Sequence, residues 1–240
     1  MTKSKELELV GTGVPAFMQE ENAAAGSIQD DQDLLSPPLL KILQGTSTET
    51  EEELGSPGDL YSQAHNAVIC PKGETIQVVP IRASKEWMKF EPGEGLIWRT
   101  ANASDERVST DPDAWRYKVL HVIMVAPVNH KSIPALPAVF TFRATSYKIG
   151  RSLYQQFAKT VEAPSYGQVY SLRAIKGKNS KGTWDRPDFR FAGLVQDQAQ
   201  FTKFKDIYAR MSEISLQPDF DDAEDGGGRK AGGDDADLPF

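Results

Sequence analysis

Cysteine is nearly absent from this 240-residue chain, and histidine is scarce. The one cysteine, Cys70, excludes an internal disulfide, and His65, His121 and His130 have no metal-ligand spacing. Apolar runs such as Val122 to Val128 fall far short of the ~20 residues that span a bilayer as a helix. The first eight residues carry Lys3, Lys5, Glu6 and Glu8 where a secretory signal needs an apolar stretch. These absences point to a soluble, cytoplasmic protein of a reducing compartment that needs no cofactor. What remains, 39% hydrophobic and 25% charged residues, is the composition of a globular domain, and the length suits one domain with long arms.

The net charge of −7 hides a segregation. Residues 1–53 hold 11 acids and 3 bases, and residues 218–240 hold 8 acids and 2 bases. The stretch between them holds 15 acids and 22 bases, and residues 143–190 alone hold 10 bases against 3 acids. A basic body between acidic arms points to a polyanionic ligand for the body. The same bases would equally solvate an ordinary surface.

The last 23 residues combine acids with Gly226-Gly227-Gly228 and Gly232-Gly233. Such a segment cannot bury enough apolar surface to offset its ordering entropy, so a flexible tether is expected over 218–240. It ends in Asp234-Asp235-Ala236-Asp237-Leu238-Pro239-Phe240. This tip resembles that of bacterial single-stranded DNA-binding proteins, a run of Asp followed by an apolar residue, Pro and a terminal Phe. The length, acidic N-terminal arm and basic centre look more like the bacteriophage single-stranded DNA-binding proteins. The resemblance covers seven residues. It implies that Asp234, Asp235, Asp237, Leu238, Pro239 and Phe240 bind replication or recombination proteins, in the host-cell cytoplasm if the chain is phage-encoded.

Residues 1–58 read as a largely flexible acidic arm, with one short helix over Ser36 to Gln44 and a turn at Gly55-Ser56-Pro57-Gly58. Beyond it the chain reads mainly as strands. Thr75 to Arg82 is β-branched, with Pro80 marking an edge or bulge. Glu86 to Phe90 and Gly95 to Arg99 form a hairpin, Trp115 to Val125 a central strand, and Pro137 to Arg143 an alternating one. Ile149, Leu153, Phe157 and Val161, spaced by four, define an amphipathic helix. Strands resume at 168–175 and 189–195 around a Lys/Gly loop at 176–182, and a last helix runs from about Gln198 to Met211. This pattern fits an antiparallel β fold with one inserted helix; an SH3-like barrel or a sandwich gives a similar strand count. The resemblance of the tip favours an OB-fold-like barrel over 59–217, with a C-terminal helix and disordered acidic arms.

Single-strand binding without sequence preference needs cations along the phosphates and aromatic faces for the bases. Arg82, Lys85, Trp87, Lys89, Phe90, Trp98 and Arg99 interleave the two on the expected hairpin. Arg143, Lys148, Arg151, Tyr154, Lys176, Lys178, Lys181, Trp184 and Arg186 do so in the basic centre. Most aromatics of a domain fill its core; Trp184 stands out because it follows a Gly/Lys/Ser loop. Enzyme motifs fail: Gly177 to Thr183 has the glycine spacing of a phosphate loop but Thr where Lys is required. Asp111 with Asp113, or Asp185 with Asp188, read as turn residues before they read as metal ligands. The expectation is a non-enzymatic single-stranded DNA-binding protein of phage replication or recombination. Its tail would recruit partners and compete with DNA for the basic body. A metal-dependent nuclease and a structural scaffold are the alternatives.

Overall fold

The computed structural model describes residues 38–91, 94–128, 133–160, 162–179 and 182–213. Among these described residues nine strands form one sheet: β1 (Leu39–Ile42), β2 (Leu60–Ser62), β3 (Ala67–Cys70), β4 (Ile76–Glu91), β5 (Gly95–Thr100), β6 (Lys118–Ala126), β7 (Leu136–Arg143), β8 (Gln168–Asn179) and β9 (Gly182–Leu194). Their order is β3-β2-β1-β7-β6-β4-β8-β9, with β5 added alongside β4. The described α-helices are α1 (Thr48–Glu51), α2 (Glu106–Thr110), α3 (Tyr147–Gln155) and α4 (Gln198–Glu213).

β6 is apolar on both faces and buried along its length after Lys118, as a strand flanked by β4 and β7 must be. β4 is long enough to serve three neighbours in turn. Ile76–Val78 pair with β8, Val79–Trp87 with β6, and Trp87–Glu91 with β5. Pro80 has no N–H to give, and the β4–β6 register slips between Pro80 and Arg82.

The pleat divides the sheet into two apolar faces. Leu120, Val122 and Met124 with Phe140 and Phe142 make one face, closed by Leu153 and Phe157. Ile123 and Val125 with Val79, Ile81 and Val139 make the other, closed by Phe204 and Ile207 of α4. The four-residue period of Ile149, Leu153 and Phe157 is therefore the docking stripe of α3, whose last turn widens into a π-helical turn over Gln156–Thr160. Close approach is needed at Gly150, where a Cβ would lie 2.4 Å from Phe142 Cγ. Alanine there gains about 1 kcal/mol of helix propensity. Overpacking costs about 1–3 kcal/mol, so the overlap wins. Gly150→Ala is expected to lower the melting temperature by several degrees; a rise would show that α3 can lift without cost.

Three expectations are corrected. First, the sheet is not an OB-fold barrel and not purely antiparallel. β1 and β7 run parallel, and β3 and β9 are the open ends of the sheet among the described residues. β9 meets the β1 end through side chains and not through a ladder: Gln44 Nε2 donates to the Asp185 carbonyl at 2.8 Å, Asp185 N–H donates to Gln44 Oε1 at 3.2 Å, and Lys72 lies 3.9 Å from the Asp185 carboxylate. Side-chain contacts cannot substitute for a strand ladder, so the seam stays unclosed. Second, Leu39–Ile42 is a strand, not a helix, with Leu40 and Ile42 buried in alternation. Third, the expected loop at 176–182 is largely strand, since β8 and β9 pair out to Asn179 and Gly182. The acidic tail and its tip, 218–240, and most of the N-terminal arm lie outside the described residues.

Candidate nucleic-acid interface

The unclosed seam is a groove. Its first lobe, about 380 Å³, lies between β1, the end of β7 and β9. Its second, about 560 Å³, lies between α3 and the β8–β9 hairpin. Thr145, Trp184, Arg186 and Pro187 line both lobes, so the two are continuous at Trp184.

Trp184 faces Gly177 across the β8–β9 ladder. A Cβ on Gly177 would come within 2.7 Å of the indole Cε2 and 2.9 Å of Cζ2, so the ring lies flat on the bare backbone of β8. Glycine is required there for close approach. The half-buried indole borders the groove on the way from one lobe to the other. Phe90 lines the first lobe, with the Arg143 guanidinium 5.6 Å from its ring centroid. Phe189 lines the second.

The charge of the groove is one-sided. Of its acids, buried Asp185 binds Lys176 at 2.6 Å and has Lys72 at 3.9 Å. The hydrogen bond to Asp185 raises the Lys176 ammonium pKa above its ordinary value. Asp188 binds Arg173 at 2.9 Å and Arg190 at 3.2 Å. Each carboxylate is thus already matched by two cations. Arg143, Arg186, Lys148 and Lys178 line the groove with no acid paired to them among the described residues. These cations, beside Trp184, Phe90 and Phe189, form a surface suited to a flexible polyanion with flat apolar groups.

The other candidates lie elsewhere. Arg82 donates to the Met211 carbonyl of α4 at 2.6 Å. Lys89 is held by Asp111 at 3.4 Å and Glu91 at 3.6 Å. Trp87 is 6% exposed and lies under the Lys85 ammonium, 4.2 Å from the ring centroid. Trp98 packs edge-on against Tyr117, with Arg107 5.4 Å from its ring centroid. Lys85, Arg151 and Tyr154 are exposed and line neither lobe. Lys181 lies outside the described residues.

Arg99 belongs to a buried network. Its guanidinium binds Glu86 through two donors, at 3.2 and 2.8 Å, and His121 Nε2 donates to the same carboxylate at 2.5 Å. His121 Nδ1 lies 2.9 Å from the Thr141 hydroxyl. Burial pushes the Glu86 carboxyl up, but the hydrogen bonds from His121 and Arg99 outweigh it and hold the group below its ordinary range. With His121 fully buried, this array cross-links β4, β5, β6 and β7. Burial likewise pushes the Cys70 thiol up to about 11.

Among the described residues no group of three or more His, Cys, Asp or Glu is placed to hold a metal ion. No described helix is long and apolar enough to cross a membrane. Sequence reasoning did not single out Gln44, which bridges the seam, or Lys118 at the head of β6. Each looked like an ordinary polar residue beside an apolar run.

Comparison with known protein families matches residues 2–217 to a family described as Pam3 phage gp34-like protein. No curated protein and no solved structure matches the chain.

Proposed function

The chain belongs to the Pam3 phage gp34-like protein family, and we propose that it binds single-stranded DNA without sequence preference through the groove at Trp184. The observation that carries this reading is that Arg143, Lys148, Lys178 and Arg186, without an acidic partner among the described residues, line one open seam together with Phe90 and Trp184. Cations supply phosphate attraction, and aromatic faces accept any base, at about 1–3 kcal/mol per stacked base. A phage origin for the family's namesake suits a role in phage DNA replication or recombination. The acidic tail then acts as a tethered competitor for the groove, and Leu238-Pro239-Phe240 as the contact for a replication or recombination protein.

Titration of a labelled dT oligonucleotide over a salt series, with and without Mg²⁺, tests this. Binding is expected to weaken with a slope of about −0.7 in log K against log salt for each phosphate neutralised, and no cleavage is expected. Duplex of the same length should bind less tightly, because its bases are not free to stack. Deleting 218–240 should tighten binding, most at low salt. Equal affinity for duplex, or binding indifferent to salt, contradicts the reading. Mg²⁺-dependent cleavage would favour a nuclease built on Asp111 and Asp113 or on Asp185 and Asp188, all of which are paired with Lys or Arg here.

A further inference from the structure

A second basic surface lies on the flank of α3 away from the groove. In the β4–β6 ladder Lys85 stands opposite Leu120 and Trp87 opposite Lys118, so Lys85 and Lys118 are diagonal neighbours on one face. That face also carries Leu120, part of the core on which α3 packs. Lys148, Ser152 and Gln156 of α3 and its π-helical turn border the groove. Arg151 and Tyr154, one turn apart, fall on the opposite flank of the helix. Tyr154 is 41% exposed and rests edge-on against Phe157.

We propose that Lys85, Lys118 and Arg151, with the Tyr154 ring beside them, form a second phosphodiester-binding site, so that a long single strand occupies the groove and continues onto this flank. The proposal rests on the single-strand reading of the groove and names a further stretch of the same ligand's path. None of the three cations has an acidic partner among the described residues, whereas Lys89 further along β4 has two. After burial, the charges acting on Lys85 are the like charges of Lys118 and Arg151, which lower its pKa. Cations crowded without an acid gain from a bound phosphate what they lose to one another. A single strand is flexible enough to leave the groove and follow a second surface, and the Tyr154 face offers it a stacking position.

The test compares a dT oligonucleotide of about 8 residues with one of about 30, roughly one and several single-strand site lengths. The variants are K85Q/K118Q/R151Q and R143Q/R186Q. The flank variant should bind the short oligonucleotide like the parent but lose about tenfold for the long one. Its salt slope for the long oligonucleotide should fall by about 2, three phosphates at ~0.7 each. Its melting temperature should change little, since the lost contact of Lys85 with the Trp87 ring is offset by relief of repulsion between neighbouring cations. The groove variant should lose affinity for both lengths. If the flank variant binds the long oligonucleotide with the parent's affinity and slope, the second site is wrong while the groove stands. If the parent binds neither oligonucleotide, the groove reading itself fails. Inorganic phosphate at matched ionic strength should not displace the long oligonucleotide from the parent. Displacement from the parent but not from the flank variant would mean a free-phosphate site and overturn the phosphodiester assignment.

Discussion

Trp184→Ala is expected to weaken binding to a dT oligonucleotide by about 5- to 150-fold, the equivalent of one stacked base at ~1–3 kcal/mol. The melting temperature should change little, because the half-buried indole belongs to the groove wall and to neither apolar core. Gly177→Ala should act in the same direction without touching the ring chemically. Its methyl group would occupy the space within 2.7 Å of Cε2 and push the indole off β8 into the groove. Loss of affinity in both variants ties binding to the position of the ring and not merely to its presence. Wild-type affinity in a folded Trp184→Ala variant would remove the ring from the site.

The largest expected loss of stability is at Glu86. Glu86→Ala leaves the half-buried Arg99 and the fully buried His121 without their shared acceptor. Breaking a buried ion pair from one side costs about 3–5 kcal/mol, which at ~2–4 °C per kcal/mol lowers the melting temperature by about 6–20 °C. The pH dependence follows from the same geometry. Hydrogen bonds to His121 and Arg99 hold the folded-state pKa of Glu86 below its ordinary value despite burial. Its contribution is therefore full above the unfolded-state carboxylate pKa and is lost as pH falls through the lower folded value. Glu86→Gln should remove that part of the acid destabilisation, giving a stability profile flatter than the parent's below about pH 4. An unchanged profile would mean that other carboxylates govern acid unfolding. The measurement is thermal or urea unfolding of parent and variant across pH 2 to 7.

Elements with a strong local period were legible in the sequence. β6 shows itself by apolar residues on both faces, and α3 by the spacing of Ile149, Leu153 and Phe157. β1 was not legible. Four residues after Pro37-Pro38 satisfy a helical start as well as a strand, and only pairing with β2 and β7 decides for the strand. Closure of the sheet was equally invisible. Strand count says nothing about which strands meet, and here the terminal strand meets the β1 end through the Gln44 side chain and not through a ladder among the described residues. At the site, Trp184 stood out because it follows a Gly/Lys loop, and it does border the groove. Trp87 and Trp98 drew attention through their flanking charges. Those charges lie over the rings themselves, Lys85 on Trp87 and Arg107 on Trp98. Arg99 counted as a free cation in the sequence because its acceptor, Glu86, lies across a strand pair whose register no local pattern reveals.

A variant that keeps Trp184 as its only tryptophan, with Trp87, Trp98 and Trp115 replaced by Phe, reports whether DNA reaches the groove at Trp184. Titrated with a dT oligonucleotide while binding is followed independently by anisotropy of a label on the DNA, its indole emission should be quenched in step with binding. Both signals should reverse together when salt is added. Binding by anisotropy with unchanged Trp184 emission, or no binding at all by the folded protein, would contradict the account.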